Sequence, residues 1–143
     1  MKMLEDYARV CWDFDDTLIG HHNSHLFWQY IIDNPYDQEH HIITFRSGGM
    51  QKLILRDLDA YGSGLSRSHF KAFWSIPHKL WVEFHEIEDP SKYDGDHPYL
   101  HWKGEICRAL EASVLIDDDT RNVIKGCEAH GITLFHPDEL FHE

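Results

Sequence analysis

The stretch Val10-Cys11-Trp12-Asp13-Phe14-Asp15-Asp16-Thr17-Leu18 passes in one step from an apolar run to a cluster of carboxylates. Tyr7 to Trp12 reads as a buried strand, and Asp13 stands where that strand ends. Residues two apart on an extended chain point the same way, so Asp13 and Asp15 share a face while Phe14 turns from it. The pattern recurs at Val114-Leu115-Ile116, followed by Asp117-Asp118-Asp119-Thr120. Ligands of open α/β sheets bind beyond the carboxyl ends of the strands, where both clusters fall. If the clusters meet, their repulsion is severe unless a hard divalent cation with oxygen ligands sits among them.

Working outward, strand-like and helix-like segments alternate. His25 to Asp33 carries Leu26, Phe27, Tyr30 and Ile31 at helical spacing and stops near Asn34-Pro35. His41 to Phe45 reads as a second strand. Gly49 to Tyr61 reads as a helix that Gly62 can end. Gly64 to His78 reads as a short helix and loop, and Leu80 to His85 as a third strand. Tyr99 to Ala112 is a helix, Val114 to Ile116 a fourth strand, Arg121 to His130 a helix ended by Gly131, and Ile132 to Phe135 a fifth strand. This alternation predicts a three-layer, doubly wound α/β fold around a mostly parallel five-stranded sheet. The whole of 1–143 is expected to form one domain.

Composition narrows the function classes. Thirteen basic against 25 acidic residues give a formal net charge of −12. That field opposes nucleic acid, and no basic run offers a local patch to reverse it. No apolar run approaches the ~20 residues of a membrane span, and the first residues lack the pattern of a secretory signal, so a cytoplasmic protein is expected. Cys11, Cys107 and Cys127 are too widely spaced to suggest a disulfide framework or a zinc knuckle, and Cys11 reads as core.

With its apolar lead-in, Asp13-Phe14-Asp15-Asp16-Thr17 resembles the first motif of the haloacid dehalogenase superfamily. Three further motifs of that superfamily have counterparts in order. Ile42-Ile43-Thr44 is similar to the second, Lys103 is placed like the third, and Val114 to Asp118 is similar to the fourth. The resemblance runs from about Val10 to Phe135. It implies a Mg²⁺-dependent phosphomonoester hydrolase in which Asp13 attacks phosphorus and forms an aspartyl-phosphate. Asp15 would serve as general acid and then base. Thr44 would hydrogen-bond the phosphoryl group, with help from backbone N–H groups around Ser47-Gly48-Gly49. Lys103 would offset negative charge, and Arg46 could reach the phosphate. Asp13, the backbone carbonyl of Asp15, and Asp117 or Asp118 would hold Mg²⁺, with Asp119 as a helix N-cap.

Neither of the usual insertion points is long enough for a cap domain, so the resemblance is to a capless member. Such relatives tend to act on macromolecular or bulky phosphorylated substrates, or to close their sites by forming homo-oligomers. Two other readings stand beside it: a silent binding or regulatory protein on this fold, and a transition-metal binder built on His21, His22 and His25. In the last, His22 and His25 would share a helix face. Trp12 and Trp102 flank motif residues and are expected to pack.

Overall fold

The computed structural model describes residues 2–48 and 51–140. Gly49 and Met50, read above as the start of a helix, lie outside them. Five strands form one wholly parallel sheet: β1 (Arg9–Trp12), β2 (Glu39–Ser47), β3 (Ala72–Ile76), β4 (Val114–Ile116) and β5 (Thr133–Phe135). Their spatial order is β3-β2-β1-β4-β5. The helices are α1 (Ser24–Asp33), α2 (Gln51–Ala60), α3 (His78–His85), α4 (Pro98–Ala109) and α5 (Thr120–His130).

The period of two along each strand assigns the layers. Val10 and Trp12, Ile42, and Val114 and Ile116 pack with Phe27, Tyr30, Ile54 and Leu58 from α1 and α2. The alternate positions Cys11, Ile43 and Leu115 pack with Phe84, Leu100, Cys107, Val123 and Cys127 from the other three helices. The fold class expected from the sequence is therefore present. The three cysteines are buried and free, and Trp12 and Trp102 are core, as read. No helix among the described residues is long and apolar enough to cross a membrane.

The third strand is a correction. Leu80 to His85 lies in α3, and β3 comes from Ala72 to Ile76, inside the stretch read as helix and loop. Pro77 stands at the N-cap of α3, a position that needs no amide donor, while Leu80, Trp81 and Phe84 recur at helical spacing. Edge strand β3 buries only Ile76 fully, so its sequence lacks the apolar run that marks the inner strands.

Two glycines fix how α4 and α5 cross. A Cβ on Gly104 would come within 2.3 Å of the Gly126 carbonyl carbon, and one on Gly126 within 2.9 Å of the His101 backbone. The two backbones thus approach as only glycine permits, which sets the height of α4 over the sheet. Lys103, next to Gly104, is positioned by that approach.

His40 on β2 is buried under α1. Its Nδ1 accepts from Trp12 Nε1 at 3.0 Å, and its Nε2 lies 3.4 Å from Asn34 Oδ1. Burial first, then His41 and His69, push its pKa down to about 4. The unfolded chain therefore binds a proton that the native state refuses, so stability present above pH 6.5 is lost as pH falls toward 4. The loss is about 2–3 kcal/mol by pH 4.5. Urea denaturation at pH 7.5 and 4.5 should show a steeper decline for wild type than for His40→Gln. Equal declines would show that His40 does not set the slope.

Candidate active site

β1 lies at the topological switch point: β2 and β3 run out on one side of it, β4 and β5 on the other. Trp12 pairs with Ile116, so Asp13 and Asp117 emerge from adjacent strand ends. The Asp13 amide donates to Ile116 O at 2.8 Å, and the Asp117 amide to Phe135 O at 3.0 Å, which fixes both backbones. Past Asp13 the chain turns sharply, with Leu18 and Ile19 amides both donating to Phe14 O at 2.9 and 3.2 Å. Asp16 takes a left-handed conformation there, with φ 60°.

Lys103 is the buried cation beneath the site. Its side chain is 1% exposed, and its Nζ donates to Asp13 Oδ1 and to Asp117 Oδ2, each at 2.7 Å. The Phe45 ring lies 4.3 Å from the same nitrogen. Burial by itself would lower the lysine's pKa, but Asp117 and Asp13 outweigh it and hold it above the ordinary value. A lysine so placed stays charged. Asp13 also accepts from Thr17 Oγ1 at 3.2 Å, through Oδ2.

The fourth-motif aspartates differ in what is left free. Asp117 is fully buried; Oδ2 meets Lys103 and Oδ1 accepts the Asp119 amide at 2.9 Å. Asp118 is half-buried and lines the cleft. Burial, contact with Asp13 and repulsion from Asp13, Asp16 and Asp119 push its pKa up to about 7. Asp119 stands at the N-cap of α5, but its side chain makes no cap bond and accepts from Asn122 Nδ2 instead. One oxygen each from Asp13, Asp117 and Asp118 lie within 4.8 Å of one another. A trio of carboxylates this close, one held near a neutral pKa by burial and then by its acidic neighbours, suits a hard divalent cation.

Thr44 sits on β2 just before an irregularity in the pairing with β3, between Thr44 and Ser47. It is buried at the cleft floor, and its Oγ1 accepts the Arg46 amide at 3.0 Å. Ser47 also lines the cleft, and its hydroxyl bonds His78 Nδ1 at 2.9 Å. Arg46 grips Asp15 with two bonds, Nε to Oδ2 at 2.9 Å and Nη2 to Oδ1 at 2.7 Å. Its Nη1 is anchored on Asp57 Oδ2 at 2.7 Å. Lys92 donates to the Phe84 and Ile87 carbonyls and does not line the cleft.

The structure thus brings Asp13, Asp15, Thr44, Arg46 and Asp118 to one cleft of about 860 Å³, with Lys103 and Asp117 packed beneath Asp13. Trp81, His85 and Tyr99 also line it, none of which the sequence marked as part of the site. Trp81 and His85, at i and i+4, share a face of α3 and stack with centroids 4.1 Å apart. That signal was hidden by reading the segment as a strand. Asp57, which anchors Arg46, carries no sequence mark at all.

The histidines do not gather as expected. His22 precedes α1, whose first residue is Ser24, so it shares no helix face with His25. His21 and His22 instead meet Asp138, from the short 3-10 helix Pro137–Glu139.

No known family profile matches the chain, and no curated protein sequence does. Among solved structures, the chain is similar to an uncharacterized protein from Corynebacterium glutamicum ATCC 13032 Kitasato. The TM-score is 0.50 at 14% identity, over 90% of this chain and 83% of that one. It is also similar to the core domain of a protein from Streptococcus pneumoniae TIGR4 described as a candidate phosphoglycolate phosphatase. There the TM-score is 0.49 at 18% identity, over 95% of this chain and 83% of that one. The first likeness is one of fold alone, and the second supports no inference about chemistry.

Proposed function

We propose that the protein is a Mg²⁺-dependent phosphomonoester hydrolase with Asp13 as nucleophile. The observation that carries this reading is the buried Lys103 ammonium, 2.7 Å from both Asp117 and the Asp13 carboxylate that lines the cleft. An ion pair serving stability alone would need neither Asp118 crowded beside it nor a hydroxyl and an arginine converging from β2.

Asp13 and Asp118 would hold the cation directly, together with the backbone carbonyl of Asp15. Asp117, with both oxygens engaged, would stand behind them. Mg²⁺, when bound, supplies charge neutralisation and orientation for the phosphoryl group. Asp13 attacks phosphorus, the ester P–O bond breaks, and the leaving oxygen takes a proton from Asp15. A water molecule then loses its proton to Asp15 and hydrolyses the aspartyl-phosphate, releasing phosphate and restoring Asp13. Thr44, whose oxygen already accepts the Arg46 amide, has its hydroxyl proton to donate to a phosphoryl oxygen. Lys103 offsets charge on Asp13 and the phosphoryl group. Arg46 must leave Asp15 before that carboxyl can reach a leaving group, and a bound phosphate offers the guanidinium another partner.

Segments 13–23 and 77–97 carry only turns, α3 and a short 3-10 helix, so we read a capless single domain whose cleft is open to bulky phosphorylated substrates or closed by a second copy. The net charge of −12 weighs against nucleic acid, and three buried thiols fit a cytoplasmic location. Hydrolysis of p-nitrophenyl phosphate should stop when a chelator removes divalent ions and return with added Mg²⁺. Turnover indifferent to the chelator would overturn the metal-dependent reading.

A further inference from the structure

A cluster of two imidazoles and a carboxylate lies away from the cleft, and its reading does not depend on the phosphatase proposal. His21 Nε2 lies 2.8 Å from Asp138 Oδ1, and His22 Nε2 lies 3.6 Å from the same oxygen. All three donors fall within 4.8 Å of one another. The two imidazole rings stack with centroids 4.2 Å apart, so both present Nε2 toward one point. None of the three lines the cleft. We propose that His21, His22 and Asp138 form a Zn²⁺ site that ties the 3-10 helix Pro137–Glu139 to the loop following Asp13-Thr17.

Chemistry favours this ion. Two imidazoles and one carboxylate are one of the ligand sets of three-ligand zinc sites, with water completing the tetrahedron, whereas Mg²⁺ prefers oxygen donors. Zinc bonds of about 2.0–2.1 Å at tetrahedral angles separate neighbouring donors by ~3.3 Å. The separations of 2.8 and 3.6 Å bracket that spacing, so small side-chain adjustments suffice. Asp138 is held in place independently of any ion. His136 Nδ1 accepts the Asp138 amide at 3.0 Å, and Glu139 accepts the His136 amide at 2.9 Å. Asn23 Nδ2 donates to Pro137 O at 3.4 Å, joining the two segments next to the site. His136 is a positioning residue here, and His25 is outside the donor group.

Binding has a signature at His21. Its Nδ1 now accepts the Asn23 amide at 3.0 Å, so the neutral ring carries its proton on Nε2. Coordination through Nε2 moves that proton to Nδ1 and releases the Asn23 amide to water.

The test is titration of the tag-free full chain with Zn²⁺ in the presence of excess Mg²⁺, followed by calorimetry. One Zn²⁺ per chain is expected, with affinity at least about tenfold weaker in His22→Ala and in Asp138→Asn, and unchanged in Asp13→Asn. His22 and Asp138 are largely solvent-exposed, so both variants keep the packed core. In ¹⁵N spectra of wild type, Zn²⁺ should convert His21 from the Nε2–H to the Nδ1–H tautomer. Wild-type binding equalled by both variants, binding lost in Asp13→Asn, or no binding at all would overturn the proposal.

Discussion

Lys103→Met should cost the protein both stability and turnover. The lysine is the only cation bonded to Asp13 and Asp117 among the described residues, and both carboxylates are buried, with Asp13 6% and Asp117 0% exposed. Removing one partner of a buried pair leaves uncompensated charge, which costs about 3–5 kcal/mol. Methionine fills nearly the same volume and keeps the packing against Phe45, so the loss reports charge and hydrogen bonding rather than a cavity. Chemical denaturation at neutral pH measures it. In the proposed mechanism the same substitution removes a preorganised positive group from the phosphoryl oxygens, lowering kcat by about 10²–10³-fold. A variant as stable as wild type would mean that Asp13 and Asp117 are not both charged. A stable variant with unaltered kcat would remove Lys103 from the chemistry.

Much of this site was legible in the sequence because its parts stand at the ends of apolar runs. Val10 to Trp12 and Val114 to Ile116 are buried on both faces, as inner parallel strands are, and each run breaks at the aspartate that enters the site. Thr44 could be read the same way, since Ile42 and Ile43 precede it. Lys103 could be placed by its order in the chain, but its burial could not. That depends on the Gly104–Gly126 approach, a contact between residues far apart in sequence. β3 was missed because an edge strand covered on fewer sides needs fewer apolar residues, and Leu80-Trp81-Val82 beyond Pro77 offered a stronger but misleading strand signal. That error also hid Trp81 and His85 from the site. Arg46 was singled out as a phosphate contact, yet its hold on Asp15 and Asp57 is a tertiary arrangement that no local pattern encodes. His21 and His22 lie side by side, as their adjacency in the sequence suggests, but the third residue of their group is Asp138 and not His25. Asp138 comes from the other end of the chain and meets them because β5 and β1, parallel strands of one sheet, end on the same carboxyl side of it.

Asp13→Asn is the second change expected to have a large effect. The amide is nearly isosteric, and its oxygen can still accept from Lys103 Nζ or Thr17 Oγ1, so the fold should survive with the cleft formed. What it lacks is a carboxylate able to attack phosphorus, and without the covalent intermediate the two-step route closes. The direct measurement is p-nitrophenyl phosphate hydrolysis in Mg²⁺ by wild type and Asp13→Asn side by side, with circular dichroism confirming that both are folded. Turnover by wild type and its loss by at least about 10³-fold in the variant is the result predicted for a nucleophile. Equal turnover by the two proteins would contradict Asp13 as the nucleophile.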